Sequence, residues 1–388
     1  MSGALDQFRA TARLSGFAWA ASLALDRVGL PALGFWRDPV FPMPALSEQV
    51  AAILTGWGMP PEHVAITTSR LLYADFHGID SHGCGMLLDY HRKRAAGLIA
   101  MTPDIRVLKE TASTALVDGG GGMGHIAGDF AMRLAMDKAA KGGVAAVAVR
   151  NSGHYGAAGA YAAMAAEAGL IGLATTNNRM PAIVPTFGVD AKLGTNPIAL
   201  AAPAARNRPF LLDMATSTVA MGKLMIAWRK GRGVPPGWAL DARGRPMTAA
   251  RAAYASRRLT PLGGSREMSS HKGYGLAAMV EILSSVLPGQ RALDLAGDDP
   301  GVGHFFLAMD PERFAGGFAA DLDAFMDDLR ATRPVRCDQP VQVAGDPEYE
   351  AFAARAASGV PLSRAVVEDM RFVCAEAGLP FTLEPRTP

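Results

Sequence analysis

Two histidines in this chain sit where a side chain could exchange a proton with a ligand. The first, His154, lies in the polar stretch RNSGHYG, residues 150–156. Residues 144–149 (VAAVAV) before it suit a short buried strand and are too few for a helix. Residues 157–168 after it form an Ala-rich helical segment closed by Gly169, which suits the left-handed position behind a helix. Residues 170–176 (LIGLATT) then read as a second buried strand. Strand, turn, helix, strand puts His154 at the carboxyl end of one strand and the amino end of a helix. Free backbone N–H groups and the positive helix end favour anions there. The same end disfavours an imidazolium, so a neutral, proton-accepting His154 is expected near pH 7.

The second histidine is His82, in Asp80-Ser81-His82-Gly83. Polar residues beside a glycine predict a tight turn that presents a side chain. On spacing alone, a helix cap by Ser81 with a bystander histidine is the simpler reading. His63, His77 and His91 lie nearby, but His-x4-His with no carboxylate or Cys following at ligand spacing does not make a metal motif. No metal ligand is therefore assigned. Lys272, in His271-Lys272-Gly273, ends the polar loop 261–275 ahead of an apolar helix. A lysine between glycine-permissive backbone and a helix amino end can act as a point charge on a phosphate.

The elements around these residues alternate. Residues 113–117 read as a strand, and Gly119, Gly121 and Gly124 behind them formally match GxGxxG ahead of a helix. Asp118 would repel a pyrophosphate, and the next strand ends on Arg150 where an acid is expected, so a flexible turn is the better reading. Residues 198–202 and 210–212 look like neighbouring strands. Thr195-Asn196-Pro197 and Asp213-Met214-Ala215-Thr216 are then polar strand ends where ligand contacts would sit, with plain turn chemistry as the alternative. Residues 303–309 are a further strand, and the chain from Pro311 is mainly helical.

Composition bounds the rest. Lys and Arg number 38 against 36 acids, a net +2, which offers neither nucleic acid nor an anionic membrane a general attraction. Cys84, Cys337 and Cys374 are odd in number and widely spaced, which argues against a disulfide framework and for a reducing compartment. The longest apolar run near the start, residues 14–25 behind Arg9 and Arg13, resembles a leader but lacks a small-x-small cleavage site. An amphipathic helix, or a start codon placed too far upstream, fits it better. The expected location is cytoplasmic. RDPVFPMP, residues 37–44, reads as a linker, with a helix from Ser47 and another opened by Pro60-Pro61.

GIDSHG, NSGHYGAAG, LGTNPIALAAP, LDMATS, GWALDARGRPMT and HKGYGLAAMVEIL, in this order and spacing, resemble the malate/L-lactate dehydrogenase family of NAD(P)-dependent oxidoreductases. That family also includes ureidoglycolate and sulfolactate dehydrogenases, diketogulonate reductase and reductases of cyclic imines such as Δ1-piperideine-2-carboxylate. The resemblance spans roughly residues 45–380. It implies an α/β fold: a non-Rossmann mixed-sheet cofactor-binding domain plus a helical domain formed from both chain ends. The corresponding ranges are an extension at 1–44, helical parts at 45–105 and 289–388, and an NAD(P)-binding domain at 106–288. It further implies a homodimer that uses NAD or NADP, with NADPH the favoured form.

By the same likeness, His154 and His82 are the acid/base candidates. Ser81 and Tyr90 are the substrate-binding candidates; Arg179 is a further one on its charge, not on the likeness. Cofactor contacts are expected at Asn178, Thr195, Asn196, Asp213, Met214, Ala215, His271, Lys272 and Gly273. One departure matters. Many members read SHGxxR-x3-Y, in which the Arg holds the substrate carboxylate, whereas here that position is Met86 and Tyr90 is kept. A buried carboxylate without a charge-assisted partner binds poorly. Either another cation substitutes, with Arg179 the candidate, or the substrate is less acidic. The expected reaction is hydride transfer between NAD(P)H and C2 of a small 2-oxo or 2-hydroxy acid, with a cyclic imino acid as the alternative. A nicotinamide-binding relative without turnover and a His-metal hydrolase are the rivals from other classes.

Overall fold

The computed structural model describes residues 38–229, 231–290 and 301–386. The leader-like stretch therefore lies outside the described residues. The centre is a seven-stranded mixed sheet in the order β2-β3-β4-β8-β5-β6-β7. These strands are β2 (Arg106–Glu110), β3 (Thr114–Asp118), β4 (Val144–Ser152), β5 (Ile171–Thr176), β6 (Ile198–Ala202), β7 (Phe210–Met214) and β8 (Val302–Met309). Only β3 and β4 run parallel; every other neighbouring pair is antiparallel. A doubly wound dinucleotide fold needs a largely parallel sheet, and this is not one. Val302–Met309, within the range assigned from sequence to the helical part, is the middle strand of the sheet. Its run GHFFLAM is mostly buried, and its two edges pair with β4 and β5.

Helices Gly124–Gly142 and Gly159–Glu167 pack side by side on the sheet. Alanine makes up five of the nine residues of the second, so it settles directly on β5. A Cβ added at Gly172 would stand 2.6 Å from the Ala165 Cβ and 2.7 Å from the Ala162 carbonyl oxygen. A larger residue at these positions would lift the helix and the turn that leads into it.

A second core joins the two ends of the described chain. Leu46, Val50, Ile53 and Leu54 from helix Met43–Gly56 pack with Leu71 and Leu72 from Pro61–Phe76, Tyr90 from Leu87–Ala95, and Met370 and Val373 from Arg364–Glu376. The strands β1 (Val40–Phe41) and β9 (Val360–Pro361) pair antiparallel and clamp the ends. The stretch read as a linker therefore holds a strand and the first helical turn. Met43 begins that helix because Pro44 occupies its first turn, where a missing N–H costs nothing. A third, smaller core forms around helices Met221–Arg229 and Ala250–Ser256.

Candidate active site

His154 sits in the turn between β4 and helix Gly159–Glu167, as its sequence setting predicts. It is densely enclosed by protein yet keeps some accessible surface. The turn is held by the glycine loop 119–124. The N–H groups of Gly119, Gly121 and Gly124 donate to the carbonyls of Arg150 (2.8 Å), Asn151 (2.8 Å) and His154 (3.1 Å). Gly120 N–H donates to the Asp118 carboxylate at 3.0 Å, and Gly122 N–H to the Gly119 carbonyl at 3.2 Å. With those N–H groups engaged, the loop is no phosphate cradle. Nor is it merely a flexible turn: a Cβ at Gly124 would overlap the Gly153 carbonyl oxygen. Glycine is required there because two backbone segments touch.

The Nδ1 of His154 is 2.6 Å from the Tyr90 hydroxyl and 3.3 Å from the Gly156 N–H. Nδ1 is thus engaged, which leaves Nε2 for a ligand. A tyrosine hydroxyl both donates and accepts, so it can serve the ring in its neutral and its protonated state. The His82 ring stacks on His154 with centroids 5.6 Å apart.

The loop carrying His82 is strongly anchored. Asp75 is buried and its carboxylate accepts from Cys84 N–H at 2.7 Å; burial pushes its pKa up to about 6. A Cβ at Gly83 would overlap that carboxylate, so SHG needs its glycine for the close approach. Arg355 donates to the Asp75 carbonyl and to the Asp80 carboxylate, the latter at 2.6 Å. Ser81 does not cap a helix: its hydroxyl meets His82 Nδ1 at 2.8 Å. A Cβ added at Gly222, at the start of helix Met221–Arg229, would come to 4.0 Å from the Ser81 Cβ.

Burial holds His154 well below the usual histidine range, and the neighbouring His82, His125, Lys93 and His304 push the same way. The sequence argument for a neutral ring assigned this to the helix end. In the structure the Asp213 carboxylate accepts the Gly159 N–H at 2.7 Å, so that end already carries a negative charge. Desolvation and neighbouring rings do the work instead. Asp213 itself is pushed up to about 6 by burial.

Two further histidines escaped the sequence reading. His304 is buried in β8, its nitrogens bonded to Thr176 Oγ1 (2.8 Å) and Ser152 Oγ (2.9 Å), its ring stacked on Tyr155 at 4.6 Å. His125 is fully buried, edge-on to the Tyr90 ring at 5.7 Å. Both are held at about 3 by burial. The available signal was a polar ring inside an otherwise apolar or glycine-rich segment.

The expected cofactor residues divide. Thr216 N–H and Oγ1 bond the Thr195 carbonyl (2.9 and 3.1 Å), and Oγ1 also bonds the Asn196 carbonyl (3.0 Å). Leu262 N–H reaches the Thr216 carbonyl, and Gly273 packs on the Leu262 backbone so closely that a Cβ would overlap it. The ends of β6 and β7, Asp213-Met214-Ala215 included, and the start of helix Ser270–Glu281 thus form one neighbourhood. Asn178 joins it through its N–H to Asn196 Oδ1, at 3.2 Å. The Asn196 amide is committed inside the protein, donating to Glu281 at 2.9 Å and to the Ala277 carbonyl at 3.0 Å. His271 and Lys272 are exposed in the first turn of the helix rather than in the preceding loop, and no side chain caps that helix. Arg179 donates to the Gly301 carbonyl at 3.5 Å.

Comparison with known proteins agrees with this architecture. The family model described as malate/L-lactate dehydrogenase matches residues 41–371. A malate dehydrogenase of Pyrococcus abyssi is 39% identical over 345 residues, covering 87% of this chain and 95% of the relative. The crystal structure of malate dehydrogenase from Entamoeba histolytica superposes with a TM-score of 0.84 at 31% identity, covering 89% of this chain and 99% of that one. Δ1-Piperideine-2-carboxylate reductase from Pseudomonas syringae gives 0.76 at 30% identity, over 86% and 99% of the two chains.

Proposed function

Because the chain belongs to the malate/L-lactate dehydrogenase family, we propose that His154 is its acid/base and that the cleft above it takes a small 2-hydroxy acid. The enzyme is an oxidoreductase of 2-hydroxy acids. In the oxidation, neutral His154 carries its own proton on Nδ1, donated to the Tyr90 hydroxyl in place of the Gly156 N–H contact, and takes the substrate hydroxyl proton through Nε2. In the reduction, the imidazolium returns the proton, and its depressed pKa makes it a ready donor. A positioned acid/base contributes roughly 10²–10⁴-fold in rate. His82 and Ser81 line the same cleft beside the reacting hydroxyl. The observation that carries this reading is the Tyr90–His154 hydrogen bond.

Bound nicotinamide would supply the hydride acceptor or donor at C4. The chain's residues fit that group. Arg266, His271 and the exposed Lys272 collect at an uncapped helix start suited to phosphate, and Arg266 lies 3.0 Å from His271. The charges of Arg266 and Lys272 favour NADPH over NADH. Thr195, Asn178 and the strand ends at 213–215 would line the remainder of its groove, and the buried Asn196–Glu281 bond would hold that groove in shape. A cytoplasmic homodimer is the proposed working form. No helix among the described residues is long and apolar enough to cross a membrane.

A cyclic imino acid is the second reading, supported by Met86 and by the likeness to the piperideine carboxylate reductase. Absorbance of the reduced nicotinamide tests both. Oxidation of NADPH with 2-oxo acids supports the first reading, and oxidation with cyclic imines alone replaces it with the second. Cofactor binding without turnover on either panel would leave a degenerate relative.

A further inference from the structure

The cleft has a tyrosine and two histidines for the hydroxyl, but the position expected to hold the carboxylate is Met86, which packs against the helical core. A second cation stands on the same helix. Met86, Tyr90 and Lys93 are spaced i, i+4, i+7, which places them along one face of helix Leu87–Ala95. Side chains on a helix lean toward its amino end. The Lys93 ammonium accordingly folds back over the preceding turn, where it meets Asp89 Oδ2 at 2.8 Å. That turn carries Tyr90, whose hydroxyl is on His154. Both members of the ion pair remain accessible, with side-chain exposures of 40% and 49%.

Four arginines of the region are directed elsewhere. Arg94 lies 5.7 Å from the Trp57 ring centroid, and with Arg92 it acts on His91, which packs between Trp57 and Phe372. Arg70 pairs with the buried Asp129 and the Ala160 carbonyl. Arg179 reaches the Gly301 carbonyl. Lys93 is the lysine whose charge bears on His154 itself.

We propose that Lys93 receives the carboxylate of the substrate, replacing the arginine absent at Met86, and that Asp89 is the counter-ion the substrate displaces. This rests on the reading of the cleft as a 2-hydroxy acid site. A lysine is a compact charge with no fixed fork, so it anchors a carboxylate without the two-point grip of an arginine. The site therefore selects for a negative charge more than for its planar geometry.

Steady-state kinetics with L-lactate and (S)-malate test the proposal, alongside calorimetric binding of oxamate to the protein–NADPH complex. Lys93→Met should raise KM and weaken oxamate roughly 10- to 100-fold, the worth of a bond to a charged group, with kcat held within a few-fold. Lys93→Arg should keep most of the affinity, and adding Met86→Arg to Lys93→Met should restore it. Asp89→Asn should lower KM. An exposed ion pair contributes little stability, so the single variants at Lys93 and Asp89 are expected to melt like the parent. Turnover with KM unchanged in Lys93→Met would overturn the assignment, as would a rise in KM confined to Arg179→Met. Should the parent enzyme neither turn over any 2-hydroxy acid nor bind oxamate, the reading of the cleft fails first, and the role of Lys93 with it.

Discussion

Tyr90 and His154 come from different layers of the molecule and meet in a 2.6 Å hydrogen bond across 64 positions of sequence. The tyrosine is fully buried in the helical core, and the histidine stands at the end of a central strand of the sheet. The contact therefore aligns the His154 ring only when both cores are folded and docked.

Tyr90→Phe keeps the ring and its packing but removes the hydroxyl. Losing one hydrogen bond to the acid/base is worth about 1.4 kcal/mol, or roughly tenfold in kcat/KM. The melting temperature should move little. Kinetics of the pure variant against the parent check this, and an unchanged kcat/KM would mean that Tyr90 does not orient His154.

The pH dependence follows from the direction of the His154 shift. The oxidation needs the neutral ring, and the pKa lies well below 6.5. The plot of kcat/KM for oxidation should stay level as pH falls through 6.5 and bend downward only below it. A bend at or above 6.5 would show that His154 is not the titrating base.

Gly124→Ala should be among the most damaging small substitutions, because the new methyl meets the Gly153 carbonyl. Strain of this kind costs about 1–3 kcal/mol, and relieving it moves the turn that carries His154. Both melting temperature and kcat should fall. Gly142→Ala is the control. It has open space around the Cβ position at the end of the same helix and should be neutral or stabilising by up to about 1 kcal/mol.

Acid should destabilise the fold through His125 and His304. Their pKa values are lowered to about 3 in the folded protein, against about 6.5 when unfolded. The unfolded chain therefore binds the extra protons between these limits. Stability from these groups is complete above pH 6.5 and is lost as pH falls toward 3, at up to about 1.4 kcal/mol per group per unit. Denaturant melts across that range should show the slope, and His125→Gln should reduce it. An unchanged slope in that variant would place the acid sensitivity elsewhere.

Much of this was legible in the residues. The strand, turn, helix and strand around His154 lie within a few positions of where the sequence puts them, because apolar run length and glycine punctuation are local signals. The motifs in register identified the family for the same reason. What stayed hidden depends on contacts between distant segments. Nothing local says that the glycines at 119–124 brace the His154 turn, that Asp213 caps the helix at Gly159, or that Val302–Met309 inserts between β4 and β5. The glycine-rich setting of His125 is a local signal, but its burial against the Tyr90 ring depends on a distant segment. Nothing local sets Lys93 apart from the charged residues around it; its place on the helix face shared with Tyr90 is what motivates the role proposed for it.

The most direct test is single-turnover formation of the reduced nicotinamide from (S)-malate or L-lactate, comparing the parent with His154→Ala and His82→Ala. Removing His154 should slow the transfer by roughly 10²–10⁴-fold with cofactor binding intact, and removing His82 should cost much less. A loss of less than tenfold in His154→Ala, or a larger loss in His82→Ala, would contradict the assignment of His154 as the acid/base.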